Sequence, residues 1–337
     1  MILGKEKSAT LAVLCCSYNL SRFVKTTLNS ILSQTQEGIE IVVSDGGSTD
    51  DSLRILKSFS EIKLLTGPDG NYLGGLWRAF YNSQSRYVTQ CCISDGYLDE
   101  SWLRAACEFL DKNPSIALVW GLSRTVDETT SAQHDPFPEF KNNPQPAEES
   151  MYAYWLLTGF LIPEGNLVVR RTVFEKCMPT TDEVKQEGSE AWLEFNFRFH
   201  QAGYLSKGLK ITANFAMVHG DQLGQALVGT AIATNYHKRY QQQRLSEIRK
   251  TYRNGYKEFR EPEGFSKRVV TIKRKFLIGT LINWQVSQVG VSQSDSFRKR
   301  QLRFLWRATR RIIINSSRLC LGEEMSSLMR RASNKLN

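Results

Sequence analysis

Ile39-Glu-Ile-Val-Val-Ser-Asp45-Gly-Gly-Ser-Thr-Asp-Asp51 changes character at a single point. Up to Ser44 it is apolar and β-branched, the pattern of a short buried strand. From Asp45 it is all Asp, Gly, Ser and Thr, the composition of a tight turn. Residues 52–59 then read as a helix. A strand that stops at a carboxylate and enters a helix through a polar turn is half of a parallel α/β unit. Upstream, Leu11-Ala-Val-Leu-Cys-Cys16 is a strand ending at Ser17-Tyr18-Asn19. A helix follows, with Ser21 as its expected cap and Phe23, Val24, Leu28, Ile31 and Leu32 on one face. Downstream, residues 62–65 form a strand, Gly67-Pro-Asp-Gly-Asn71 a turn, residues 76–83 a helix and residues 87–93 a strand stopping at Ser94-Asp95-Gly96. The expected fold is a doubly wound, mixed α/β sheet with mostly parallel strands.

In such sheets ligands bind outside the carboxyl ends of the strands. Those ends carry Ser17, Tyr18, Asn19, Asp45, Asp69 and Asp95. One Asp at such a junction is explained by an Asx turn; three at successive junctions point to a polar ligand.

The rest of the chain sets limits. With 337 residues, 41% hydrophobic and 23% charged, it is long enough for a large domain and an appendage, and too apolar to be disordered throughout. No run of ~18 apolar residues is free of charge, so no membrane-spanning helix is expected. Residues 1–7 lack the apolar core of a secretory signal. Seven Cys, with no Cys-x-x-Cys, read as reduced thiols of a cytoplasmic protein. Residues 125–150 read as a long loop, 167–169 as a strand and 190–202 as a helix. The net charge of +10 is uneven. Residues 238–318 hold 21 Lys+Arg against 5 Asp+Glu, whereas residues 1–237 hold 20 against 27. The expected division is therefore an acidic body over residues 1–225 and a basic, mainly helical extension over 226–337.

The order of motifs resembles the inverting nucleotide-sugar glycosyltransferases of family 2, which have the GT-A fold. The resemblance rests on Cys16-Ser-Tyr-Asn19, Ser33-Gln34, Asp45-Gly-Gly-Ser-Thr-Asp50, Pro68-Asp69 and Ile93-Ser-Asp-Gly96, and spans residues 10–225. It implies a nucleoside diphosphate sugar as donor, with a uracil- or thymine-type base against Tyr18 and Asp45, and Asp69 lining the same pocket. Arg78 either adds positive charge toward the diphosphate or occupies a solvated helix face. The resemblance also implies a divalent cation, Mn or Mg, at Asp95, with His219 near it. Here the sequence departs from the pattern, because Ile93 and Gly96 stand where further Asp residues are usual. Inversion needs a carboxylate to take the acceptor's proton. The family's usual Asp position falls on Trp192, which leaves Glu190 as the expected base and Glu194 second. Glu194 is also spaced to pair with Arg198.

The implied acceptor is a glycan or lipid-linked sugar in cell-surface polysaccharide synthesis. Basic clusters alternate with Trp-bearing apolar patches through 238–318, which suits either an anionic membrane surface, with a peripheral location on the cytoplasmic face, or a solvated charged face on helices packed against the body. No nucleic-acid motif accompanies the charge. Ile93, Gly96 and Trp192 keep open a catalytically impaired homologue that binds nucleotide or glycan as a scaffold. A dinucleotide-binding oxidoreductase is opposed by the missing Gly-x-Gly-x-x-Gly after the first strand.

Overall fold

A computed structural model describes residues 9–134, 152, 155–156, 161–162, 164–187, 190–221, 231–254, 256–259 and 268–271. Apolar, β-branched runs form β1 (Leu11–Ser17), β2 (Ile39–Asp45), β3 (Ile62–Thr66) and β4 (Tyr87–Gln90), joined by α1 (Ser21–Leu32), α2 (Ser52–Leu56) and α3 (Tyr72–Tyr81). Then come β5 (Gly96–Tyr97), α4 (Trp102–Lys112), β6 (Ile116–Asp127), β7 (Gln133–His134) and β8 (Leu167–Arg170). They are followed by α5 (Arg171–Cys177), α6 (Thr181–Glu187), α7 (Ala191–Gln201), β9 (Leu205–Val218) and α8 (Ala231–Asn254).

Among the described residues the strands make one nine-stranded sheet, ordered β3-β2-β1-β4-β8-β6-β9-β5, with β7 on β6. The four strands β3, β2, β1 and β4 are parallel, as the strand–helix alternation requires. The antiparallel strand β8 joins β4 to β6, and β6 runs parallel to the long β9. The sheet is thus the mixed α/β sheet expected. Its core holds Val13, Val24, Leu28, Leu103, Val119 and Val168, all 0% exposed. The parallel register sets Ser17 opposite Asp45 and Asp45 opposite Thr66, so the polar junctions share one end of the sheet.

Four local expectations change. Ser21 is the first residue of α1 rather than its cap. The start of that helix is held instead by the loop after β2: Leu20 N–H donates to Ser52 Oγ at 3.1 Å, and Ser21 N–H to Asp50 Oδ2 at 3.0 Å. Helix α2 stops at Leu56. Helix α3 starts at Tyr72, because the Asn71 side chain caps it by accepting from Gly74 N–H. Strand β4 ends at Gln90. The six described Cys are free thiols; Cys320 lies outside the described residues.

The chain divides into two compact units, residues 1–148 with 161–240, and residues 149–160 with 241–337. The expected boundary at 225/226 falls outside the described residues. In the second unit Arg244, 1% exposed, donates to the Trp155 and Leu156 carbonyls. It also contains an antiparallel pair, β10 (Tyr256–Phe259) and β11 (Arg268–Thr271), where no strand was expected. Of the basic stretch 238–318, only 238–254, 256–259 and 268–271 are described. No described helix is long and apolar enough to cross a membrane.

Candidate active site

The first two junctions build one rigid loop. The Asp45 carboxylate is 0% exposed. It accepts from Gly47 N–H at 3.0 Å, Ser48 N–H at 2.8 Å and Ser48 Oγ at 2.6 Å. This is an Asx-type turn closed on itself, so Asp45 shapes the loop at which the base contact is expected. Asn19, at φ 54°, accepts from Thr49 N–H through Oδ1 and donates its own N–H to Ser48 Oγ. Ser17 is buried, and its carbonyl accepts from Gly46 N–H. Tyr18, on the same loop, is 61% exposed, a ring available for stacking.

Asp69 leans into this loop between two glycines. A Cβ on Gly46 would lie 2.9 Å from Asp69 Oδ1, and one on Gly75 would lie 2.5 Å from Asp69 Oδ2. The close approach therefore requires residues without side chains. Arg78 turns inward from α3, against the solvated-face reading. Its guanidinium donates to Ser44 Oγ at 2.8 Å, Gly67 O at 2.7 Å and Asp45 O at 2.8 Å, and stands 3.6 Å from Asp69 Oδ2. One side chain thus ties the ends of β2 and β3 together and sets a positive group beside Asp69.

The fourth junction is acidic. Asp95 follows Ser94, which is held at φ 147°, a conformation that non-Gly residues adopt only under constraint. The Asp95 carbonyl accepts from Thr27 Oγ1 at 2.6 Å, and its Oδ1 accepts from Met217 N–H at 3.0 Å. Burial pushes its carboxyl up to about 7. The neighbouring departures have packing causes. Ile93 is 0% exposed in the core. A Cβ on Gly96 would meet Ser30 Oγ at 2.6 Å and the Phe215 ring at 2.7 Å.

A carboxylate given no role by the sequence reading stands beside it. Glu164 Oε1 accepts from Tyr72 Oη and Gln90 Nε2, each at 3.1 Å. A Cβ on the next residue, Gly165, would lie 4.0 Å from Asp95 Oδ2. Glu164 keeps an exposed face. Its carboxyl nevertheless lies far enough among protein atoms that desolvation, and then the Glu190 carboxylate, push it up to about 7. The signal in the sequence was a lone carboxylate in Ile162-Pro-Glu-Gly-Asn166, a polar turn between apolar runs.

The expected bases have other duties. Glu190 is the N-cap of α7, accepting from Trp192 N–H at 2.9 Å through Oε1 and from Leu193 N–H at 2.8 Å through Oε2. Both oxygens serve the helix terminus. The residue expected as the base is thus engaged as a helix cap. Glu194 is 6% exposed and pairs with Arg198 Nε at 2.9 Å, as its spacing allowed. Trp192 packs face to face on Phe195 at 4.5 Å, and its indole N–H donates to Ile162 O at 2.7 Å.

His219 is 5% exposed and packs against Phe23, the rings tilted by 43° with centroids 4.8 Å apart. Burial, then the nearby Arg22, lower its pKa. Among the described residues no three His, Cys, Asp or Glu side chains converge on a point that could hold a metal ion. Asp95 already holds a backbone N–H and has a raised affinity for protons. The cation expected at Asp95, with His219 near it, would therefore have one carboxylate from these side chains and would draw the rest of its shell from donor phosphate oxygens.

The family model "Glycosyl transferase family 2" matches residues 12–178. An uncharacterized glycosyltransferase of Haemophilus influenzae is 27% identical over 119 residues, 34% of this chain and 36% of its own length. A chondroitin synthase of Escherichia coli is 28% identical over 139 residues, 36% of this chain and 19% of its own length. The matches thus span well under half of each of these relatives. Crystal structures of residues 1–349 of S. aureus TarS have a similar fold. The complex with UDP has a TM-score of 0.51 at 13% identity, covering 92% of this chain and 83% of that one. The complex with UDP-GlcNAc has a TM-score of 0.50 at 11% identity, covering 90% and 82%. The sheet is of the GT-A type.

Proposed function

Because this chain belongs to glycosyltransferase family 2 through residues 12–178, we propose that it is an inverting glycosyltransferase. Its donor is a nucleoside diphosphate sugar with a pyrimidine base. Its acceptor is a glycan or lipid-linked sugar of a cell-surface polysaccharide. The observation that carries this reading is the grouping of Tyr18, Asp69 and the inward-turned Arg78 at one end of the parallel strands. The ring offers a stacking face for the base. Asp69 offers an acceptor for base or ribose, and the guanidinium a positive group near the diphosphate. The polysaccharide synthases among the relatives support the acceptor class. Single displacement without a sugar–enzyme intermediate needs only one proton acceptor near the attacking hydroxyl.

Calorimetric titration with UDP tests the donor site. The parent should bind, and Asp69→Ala should lose the signal while keeping its fold; undiminished binding in that variant overturns the assignment. The packing of Ile93, Gly96 and Trp192 in place of carboxylates favours a second reading, a nucleotide-binding scaffold without turnover. UDP release from UDP-glucose, UDP-galactose and UDP-GlcNAc separates the two: release supports transfer, and tight UDP binding with no release supports the scaffold.

A further inference from the structure

We infer that Glu164 is the base of the transfer reaction, displaced from the family's usual position onto the loop before β8 and held there by the residue that replaced the usual carboxylate. The inference rests on the transfer reading above and deepens it.

The loop is anchored on both sides of Glu164. On one side, Ile162 O accepts from the Trp192 indole N–H at 2.7 Å, and Ile162 N–H donates to Asn196 Oδ1 at 2.7 Å. Both anchors come from α7, one from the position where the usual Asp is missing. On the other side Asn166, 0% exposed, bonds Gly121 through both its backbone and its side chain. Gly165 between them takes φ 82°, which a side chain would resist. The short turn therefore presents Glu164 from two fixed points, the preorganisation a catalytic carboxylate requires.

Its two oxygens differ. Oε1 is held by Tyr72 and Gln90, whereas no described residue hydrogen-bonds Oε2. Glu190, by contrast, has both oxygens on backbone N–H groups. The groups facing Glu164 are Tyr72 from α3, Cys16 from β1, Gln90 from β4, Cys92 and Asp95 from the segment after β4, and Glu190 from the start of α7. No cation is among them to hold the carboxylate ionised and inert. Its raised proton affinity suits a base working near neutral pH.

The step balances without a further reactant. The acceptor hydroxyl oxygen forms a bond to the anomeric carbon of the donor sugar. The bond from that carbon to the β-phosphate oxygen breaks, and its electron pair leaves with the nucleoside diphosphate. The hydroxyl proton passes to Glu164 Oε2.

The test compares the full-length parent with Glu164→Gln and Glu190→Gln, using UDP release from UDP-glucose, UDP-galactose and UDP-GlcNAc with water as acceptor. Thermal melts and UDP calorimetry run alongside. Glu164→Gln should melt like the parent, bind UDP equally well and lose at least ~10²-fold in kcat, the usual weight of a general base. The fall of kcat/KM at acid pH in the parent should disappear in that variant. Parent-like turnover in Glu164→Gln overturns the inference. So does a loss that falls on UDP affinity rather than kcat, or one that moves to Glu190→Gln. If that variant unfolds, Glu164→Asp takes its place: a base predicts a reduced kcat with UDP binding intact, and unaltered kcat overturns it. A parent that binds UDP but releases none from any donor removes the transfer reading and the inference with it; a parent active with an active Glu164→Gln removes the inference alone.

Discussion

Gly75 sits in α3, where exchange for Ala would ordinarily help the helix by up to ~1 kcal/mol. Here the added methyl meets Asp69 Oδ2 at 2.5 Å, and overpacking of that kind costs typically ~1–3 kcal/mol. The clash outweighs the propensity. Gly75→Ala should lower the melting temperature and weaken UDP binding in calorimetry, because the Asp69 carboxylate has to swing away from Arg78. The residues at these strand ends were legible in the sequence as a set, since Asp and Gly at successive junctions announce a ligand face. Their individual duties were not. Asp45 and Asp69 look alike in one dimension, yet one closes a turn on Ser48 and the other is left beside a guanidinium. The difference is set in three dimensions: Asp45 meets Ser48 within its own turn, whereas Asp69 is admitted between Gly46 and Gly75. Glu164 was hidden for a related reason: its partners Tyr72 and Gln90 lie 92 and 74 residues away.

At the scale of elements, helix α7 links cap, core and cleft. Its first free N–H groups are held by Glu190, its buried face carries Trp192 and Asn196, and both of those hold Ile162. Glu190→Ala should cost about 1 kcal/mol in urea unfolding, the usual effect of losing a cap, with a parent-like m-value. A larger loss, or none, would place the carboxylate in some other role. The helix was predictable because aromatic residues recur along 190–202 and Gly203 stops it. Helix α1 shows the converse. Ser21 has the composition of a cap, but Asp50 and Ser52 supply the acceptors from the next loop, and tertiary contact overrides local preference. The parallel strands β1 to β4 could be read from their periodicity. The pairing of β8, β6 and β9 could not, since short apolar runs carry no record of their neighbours.

Across the whole molecule, charge separates along the chain, with +16 held between residues 238 and 318 by 21 Lys+Arg against 5 Asp+Glu. Each basic residue near an anionic lipid surface contributes roughly 1 kcal/mol, and salt screens that attraction within about 10 Å at 0.1 M. The full chain should therefore sediment with vesicles of phosphatidylserine and phosphatidylcholine at low salt and be released as salt is raised. Equal sedimentation with pure phosphatidylcholine would sink the idea. The sheet carries a different consequence, for the order in which the protein is made. Strands β1 to β4 can pair as soon as Gln90 has emerged from the ribosome. Strand β6 needs β8 and β9, and β5 has β9 as its strand partner. At about 5–20 residues per second, the stretch from Asp127 to Val218 takes roughly 5–20 s to synthesise. Throughout that interval a nascent chain displays the open edge of β6 beside a half-sheet that is already paired, the kind of edge on which strands from other chains assemble. Slowing translation across that stretch lengthens the wait, and a chaperone that shields β6 shortens the exposure.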